Sequence, residues 1–299
     1  MVESKSQKRL FLITAIAPAA LLFVAVVVYP LLSGVGYSFF KWSGASSNRT
    51  FVGLDNYVKL VQDPLIPQVI AHDLFLVIIK ILGIMLLAMF FAVALTQFRF
   101  REASFYRVVF FFPQIMAAVT IGILWIFVFN YDLGLVNGLL RALGLGEWAR
   151  SWLGDQSTAL ASLAIPVIWA GVGFFMLWLM SAIAGVPTSL LEASLLDGAT
   201  RWRQFWNITV PLIWPQMRDA IVYIAITSLN GAFILVVVMT NGGPNNATQL
   251  MGSYLMEQAF TRYNFGYGAA IGSLILVVAS TVVFLLRWLM RKDPLKDTA

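Results

Sequence analysis

The sequence predicts an all-α, polytopic membrane protein that crosses the bilayer six times, and three observations carry that expectation. Of 299 residues, 60% are hydrophobic and only 11% charged, with a mean hydropathy of +0.83. That is a membrane composition. Six stretches, 10–33, 74–96, 106–129, 158–183, 220–240 and 268–290, are apolar over the roughly 20 residues that cross a hydrocarbon core of about 30 Å as helix. Their apolarity is also continuous, whereas barrel strands alternate in short segments, so the spans are read as helices.

The elements follow in chain order. Residues 1–9 form a short N-terminal segment carrying Lys5, Lys8 and Arg9. The apolar run behind them is too long for a signal-peptide core and lacks a convincing cleavage site, so it is read as a retained span. The outer segment 34–73 contains "FVGLDNYVKLVQDP" (51–64), with a turn signal at Gly53 and a stop at Pro64. The stretch 133–155 carries leucines and tryptophans at helical spacing and is expected to lie flat in the outer interface. A third outer loop, "NGGPNNATQLMGSYLMEQAF" (241–260), opens on a turn and continues as a short amphipathic helix. The six-span domain is thus 10–290, with a cytoplasmic loop at 187–215 and a tail at 291–299.

Basic residues orient the bundle. With the N-terminus inside, thirteen Lys and Arg fall on cytoplasmic pieces and six on outer loops, with Lys80 alone within a span. That bias places both termini in the cytoplasm. The net charge of +6 therefore reports topology and implies no nucleic-acid partner. There is no cysteine for a disulfide, cluster or thiol nucleophile, and one histidine, His72, makes no metal site. No phosphate-cradling glycine loop, His-Glu-x-x-His or Gly-x-Ser-x-Gly occurs. The expectation is a non-catalytic chain that binds no metal or nucleotide itself. An ion-coupled secondary transporter is the alternative, but it needs membrane carboxylates and only Asp73 approaches the hydrocarbon. No internal repeat supports an inverted-repeat transporter.

The loop "EASLLDGATRWRQFWNITVPLIWP" (192–215) stands out for its charges. Pro187, Ser189 and Glu192 match a capping box at a helix start. Leu191, Leu195, Ala199, Trp202 and Trp206 recur at spacings of four, four, three and four, one face of a helix. Gly198 in mid-pattern costs about 1 kcal/mol relative to alanine and suggests a bend between two short helices. Glu192, Asp197, Arg201 and Arg203 make the other side. On these grounds alone the loop reads either as an amphipathic helix under the lipid headgroups or as a docking element for a soluble partner.

The run Glu192-Ala193-Ser194-Leu195-Leu196-Asp197-Gly198-Ala199, with Phe205, Ile208, Pro211 and Pro215, resembles the EAA loop of ABC importer permeases. Ser194 stands where the second alanine often sits. "FVGLDNYVKL", "NYDLGLVNGLL" and "TNGGPNNAT…AF…FGYGAAIGSL" resemble the maltose- and glycerol-phosphate-type sugar permeases, over nearly the whole chain. The resemblance implies a MetI-like permease fold in a prokaryotic inner membrane. It also implies a second homologous permease, two copies of a cytoplasmic ATP-binding subunit that hydrolyse ATP with Mg, and an extracytoplasmic solute-binding protein. Glu192, Ala193, Asp197, Gly198, Ala199 and Arg201 would then couple the chain to the ATPase.

A sugar pathway needs polar groups and flat aromatic faces. Tyr223, Thr227 and Asn230 form a stripe on span five, with Phe233 close by; they line a pathway or join helices by hydrogen bonds. Trp125, Trp169 and Trp178 are stacking platforms or interface anchors. Lys80, costing about 2.5–3.5 kcal/mol at mid-membrane, either snorkels toward Asp73 or lines the pathway. Gly268 and Gly272 mark close helix packing, within the chain or against a partner.

Overall fold

A computed structural model describes residues 5–45, 48–97 and 102–292. Four helices are long and apolar enough to cross a membrane, and six spans result if each of two bent helix pairs counts as one. The chain divides into two compact units: residues 1–64 with 255–276, and residues 65–254 with 277–299.

In the first unit, α1 (Lys5–Phe23) runs through a π-helical turn (Val24–Val28) into α2 (Tyr29–Tyr37). A two-residue hairpin follows, β1 (Phe40–Lys41) antiparallel to β2 (Thr50–Phe51), and then α3 (Asp55–Gln62). The motif at 51–64 holds these pieces together. Asn56 Nδ2 donates to the Ser38 and Phe40 carbonyls at 2.8 and 3.0 Å, and Ser38 Oγ lies 2.6 Å from the Tyr57 hydroxyl. Tyr267, near the start of α14 (Phe265–Leu289), donates to Asp63 at 2.6 Å. A Cβ at Gly268 would stand 3.0 Å from Ala259 Cβ and one at Gly272 3.4 Å from Leu255, so this small-residue pair packs within the chain.

The second unit is built on α4 (Leu65–Gln97) and α8 (Ala159–Ala184). Ile84, Ala88, Ala92 and Leu95 of α4 meet Val172, Phe175, Met176 and Leu179 of α8, joined by Ala220 and Ile224 of α12 (Trp214–Met239). Small residues let the backbones approach, which matters where lipid is as apolar as the core. Gly173 is one such close approach: a Cβ there would fall on the Phe110 carbonyl. At about 1.5 Å per residue, the 33 residues of α4 exceed the hydrocarbon thickness, so its polar start projects beyond the apolar layer.

Two readings of the sequence need correction, the single span at 106–129 and the amphipathic helix after the turn at 241–246. The span at 106–129 is two helices, α5 (Ala103–Phe111, extended by a 3₁₀ turn to Ile115) and α6 (Ala118–Val128), at 103° to each other. Pro113 in that turn and extended Met116 and Ala117 break the helix. The stretch 133–155 forms α7 (Leu135–Ala142) and a short turn at Gly146–Trp148, organised by Asn137. That buried amide donates to the Tyr131 and Arg150 carbonyls and accepts from Trp152 Nε1. The helix in the third outer loop, α13 (Met251–Met256) with the π-turn Glu257–Thr261 behind it, is not amphipathic: Ser253 and Gln258 are buried while Met256 and Phe260 are exposed.

Candidate functional site

The loop after α8 folds as two short helices. The first, α9, spans Thr188–Leu196 with Pro187 at its N-cap in an extended conformation. The capping box expected from Ser189 and Glu192 does not form, because the helix starts two residues earlier and Glu192 falls in its fifth position. Gly198 ends the helix at φ +76°. Its N–H donates to the Leu195 carbonyl at 3.0 Å and that of Ala199 to the Ser194 carbonyl at 2.9 Å, the Schellman pattern for which glycine is suited. Then α10 (Arg201–Gln204) begins, with Thr200 Oγ1 accepting from the Arg203 N–H at 3.4 Å.

One side chain that sequence reasoning missed locks the pair. Gln204, only 9% exposed, donates through Nε2 to the Leu191 carbonyl at 2.9 Å and to Ser194 Oγ at 2.8 Å. Ser194 Oγ in turn donates to the same carbonyl at 2.8 Å. The serine that departs from the usual alanine is therefore part of a clamp. Below it the chain continues through a π-turn (Phe205–Thr209) and α11 (Val210–Leu212), and after one turn residue, Ile213, enters α12. Trp214 Nε1 donates to the Lys292 carbonyl at 3.1 Å, which puts the end of α14 at the same level as this loop.

The single apolar stripe expected from Leu191 to Trp206 is not one face. The turn at Gly198 divides it, and Leu195, Trp202 and Trp206 are exposed. Glu192, Ala193, Asp197 and Gly198 are exposed too, Ala199 is half-buried, and Leu196 stands 91% exposed at the tip of α9. Arg201 lies beyond the turn, beside the end of α4.

Within the spans, Lys80 Nζ donates to Thr227 Oγ1 at 3.4 Å, and Thr227 Oγ1 donates to the Tyr223 and Ile224 carbonyls. The snorkelling pair with Asp73 is not made. Asp73, 3% exposed, instead accepts from the Met251 N–H at 2.8 Å and caps α13. Its neighbour His72 donates from Nδ1 to the Gln249 carbonyl at 2.9 Å, and Gln68 donates to the Asn246 carbonyl. The projecting start of α4 thus holds the loop before α13.

Tyr223 is 46% exposed, and its ring lies 6.0 Å from Phe174 and 6.3 Å from Trp178. A cleft of about 520 Å³ between the end of α8 and α11–α12 reaches the same Trp178. Trp125 and Trp169 pack on each other at 5.8 Å and stand apart from this patch. Phe233, half-buried, packs on Gly252, where a Cβ would approach its ring to 3.0 Å. Asn230 lies on α12, but its side chain falls outside the described residues. Among the described residues no group of three or more His, Cys, Asp or Glu is arranged to hold a metal.

The model of the family described as "Binding-protein-dependent transport system inner membrane component" matches residues 84–292, most of the chain. The chain belongs to that family. This inner-membrane component is 35% identical over 263 residues to the probable ABC transporter permease protein YurN of Bacillus subtilis (strain 168), covering 87% of this chain and 89% of the relative. It is 33% identical over 272 residues to the diacetylchitobiose uptake system permease protein NgcF of Streptomyces coelicolor, covering 88% and 76% respectively. Its fold is that of a chain in the crystal structure of a bacterial ABC transporter involved in import of the acidic polysaccharide alginate. The TM-score is 0.81, over 96% of this chain and 97% of that one at 21% identity.

Proposed function

We propose that this permease is the membrane-spanning translocation subunit of an ATP-driven, binding-protein-dependent sugar importer, with α9 as its contact to the ATP-hydrolysing subunit. The observation that carries the reading is the built character of the loop: a helix with exposed leucines and an exposed glutamate at its surface, closed by a Gly198 turn and clamped by Gln204. A joint between two spans needs none of this. Exposed apolar side chains beside a carboxylate suit a protein partner, and Glu192 offers charge-assisted hydrogen bonds to basic groups there. Ala193, Asp197 and Ala199 flank it, and Gly198 sets the angle.

The clamp makes α9 and α10 one body, and the helical segment from α10 to α11, joined to α12 by a single turn residue at Ile213, makes that body a lever. Closure of the ATPase subunits displaces α9, and α12 carries the displacement to Tyr223 and Thr227 in the bilayer. This shifts the balance between inward- and outward-open states. Tyr223, Phe174 and Trp178 present flat faces suited to a sugar ring, and Lys80 and Thr227 offer donors beside them. Asn230 lies on the same helix and would extend the polar stripe. Such groups face a pathway or a partner rather than lipid, so a second permease completes the site. This chain has no reaction of its own; ATP and Mg belong to the ATPase subunits. Its loop 187–215 and both termini face the cytoplasm, and the binding protein meets the opposite face.

The test is uptake of labelled sugar into proteoliposomes holding the full complex. Uptake requiring both internal ATP and external binding protein, and falling at least tenfold in Tyr223→Ala, supports the reading. Uptake driven by an ion gradient without ATP overturns it.

A further inference from the structure

We infer that the groove between the end of α4 and α10 is a binding site for an anionic phospholipid, with the acyl chain on α4 and the phosphate on Arg201. The groove has a volume of about 370 Å³. Its walls are Met89, Phe90, Val93 and Ala94 on α4 and Trp202 and Phe205 across from them. All six are apolar or aromatic, and among the described residues Arg201 is the one charged residue in the lining.

Three features point to lipid. The α4 residues belong to the last turns of the apolar window Leu65–Thr96, so the groove opens where hydrocarbon meets headgroups. Trp202, 72% exposed, is the residue type that settles at that level. Arg201 is exposed, and among the described residues it has no ion pair or side-chain hydrogen bond. Arg203 is equally unpaired two residues on, and no acidic residue lies in α10. A guanidinium with all its donors free beside an apolar groove fits a phosphate with a hydrocarbon tail, because its planar fork grips phosphate in two places. The volume sits at the small end of ligand cavities and suits a stretch of chain better than a helix about 10 Å across. A lipid seated there braces α10 against α4 and so stiffens the clamped loop.

The site requires that α4 crosses a bilayer and does not depend on which solute is moved. The test uses the full chain in nanodiscs of equal parts phosphatidylglycerol and phosphatidylcholine, with retained lipid counted by native mass spectrometry. One basic residue near an anionic surface contributes about 1 kcal/mol, so phosphatidylglycerol should be retained about fivefold over phosphatidylcholine. Arg201→Gln should bring the ratio close to parity, and Arg201→Lys, which keeps the charge without the planar fork, should keep only part of it. Ala94→Phe, which fills the groove and leaves the charge, should lose the retained lipid. Arg262→Gln, whose residue pairs with Glu257 instead, should change nothing. Parity in the unaltered chain overturns the inference, as does a preference that survives Arg201→Gln. Loss of the lipid when ATPase subunits bind makes the occupant a protein and also overturns it. A chain that retains phosphatidylglycerol yet moves no sugar keeps this site and loses the transport reading.

Discussion

Replacing Gln204 by leucine removes the clamp between α9 and α10 with little change in volume, so no large cavity is added to the loss. Two hydrogen bonds disappear, at 2.9 Å to the Leu191 carbonyl and 2.8 Å to Ser194 Oγ. Ser194 still donates to that carbonyl, so no acceptor is left wholly bare. At about 1 kcal/mol net for each bond, the docked arrangement loses about 2 kcal/mol. That corresponds to roughly 30-fold more frequent opening, at 1.4 kcal/mol per tenfold. Hydrogen exchange on the intact chain in nanodiscs reads this directly. Amides of 188–204 should exchange about 30-fold faster while those at the α4–α8 contact stay unchanged. Sugar uptake should fall in step, because a floppy α9 no longer moves α12. Unchanged protection across 188–204 would refute the claim that Gln204 makes the lever rigid. Ser194→Ala should give the smaller part of the effect and combine non-additively with Gln204→Leu.

Four further outcomes follow from the geometry. Gly198 has open space around it, so substitution there carries a backbone cost alone, about 1–2 kcal/mol for an L-residue at φ +76°. Gly198→Val should impair uptake, whereas Gly198→Asn, which tolerates that conformation, should retain most of it in the same assay. Gly173→Ala should lower the melting temperature of the detergent-solubilised chain more than any surface change, since the Phe110 backbone must move aside. Asp73→Leu should cost about 1–3 kcal/mol by leaving the buried Met251 N–H without its acceptor, and Asp73→Asn, which keeps a carbonyl oxygen, should cost less by thermal unfolding. Tyr223→Phe should preserve sugar uptake where Tyr223→Ala does not, because the ring face rather than the hydroxyl is held to meet the sugar.

What was legible in the sequence is what the bilayer writes into it. Long apolar runs mark spans because lipid satisfies no backbone group, and Gly198 announced a turn because a mid-pattern glycine is costly. The bend at Pro113 was harder to see, since Met116 and Ala117 are as apolar as the helices they separate. Lys80 and Asp73 looked like a pair by spacing, but each found a nearer partner from another element, a tertiary fact no local pattern holds. Gln204 gave no signal because a lone amide between Arg203 and Phe205 has no periodicity. Its meaning arises only when α10 folds back on α9. Ser194 could have raised the question, as a hydroxyl standing at the motif's usual alanine. Tyr223 and Thr227 stood out on α12 because polar side chains are rare in a span. The packing of Phe233 on Gly252 of α13 gave no local signal, because the two residues come from different elements.

The most direct test of the lever uses the absence of native cysteine, which lets a single thiol report without background. Leu196→Cys places that thiol at the exposed tip of α9. In the assembled transporter, a short bifunctional cross-linker should join it to the ATP-hydrolysing subunit, with a yield that changes between nucleotide-free and ATP-bound states. Cross-links formed only to lipid or to the chain itself, indifferent to ATP, would contradict the account at its centre.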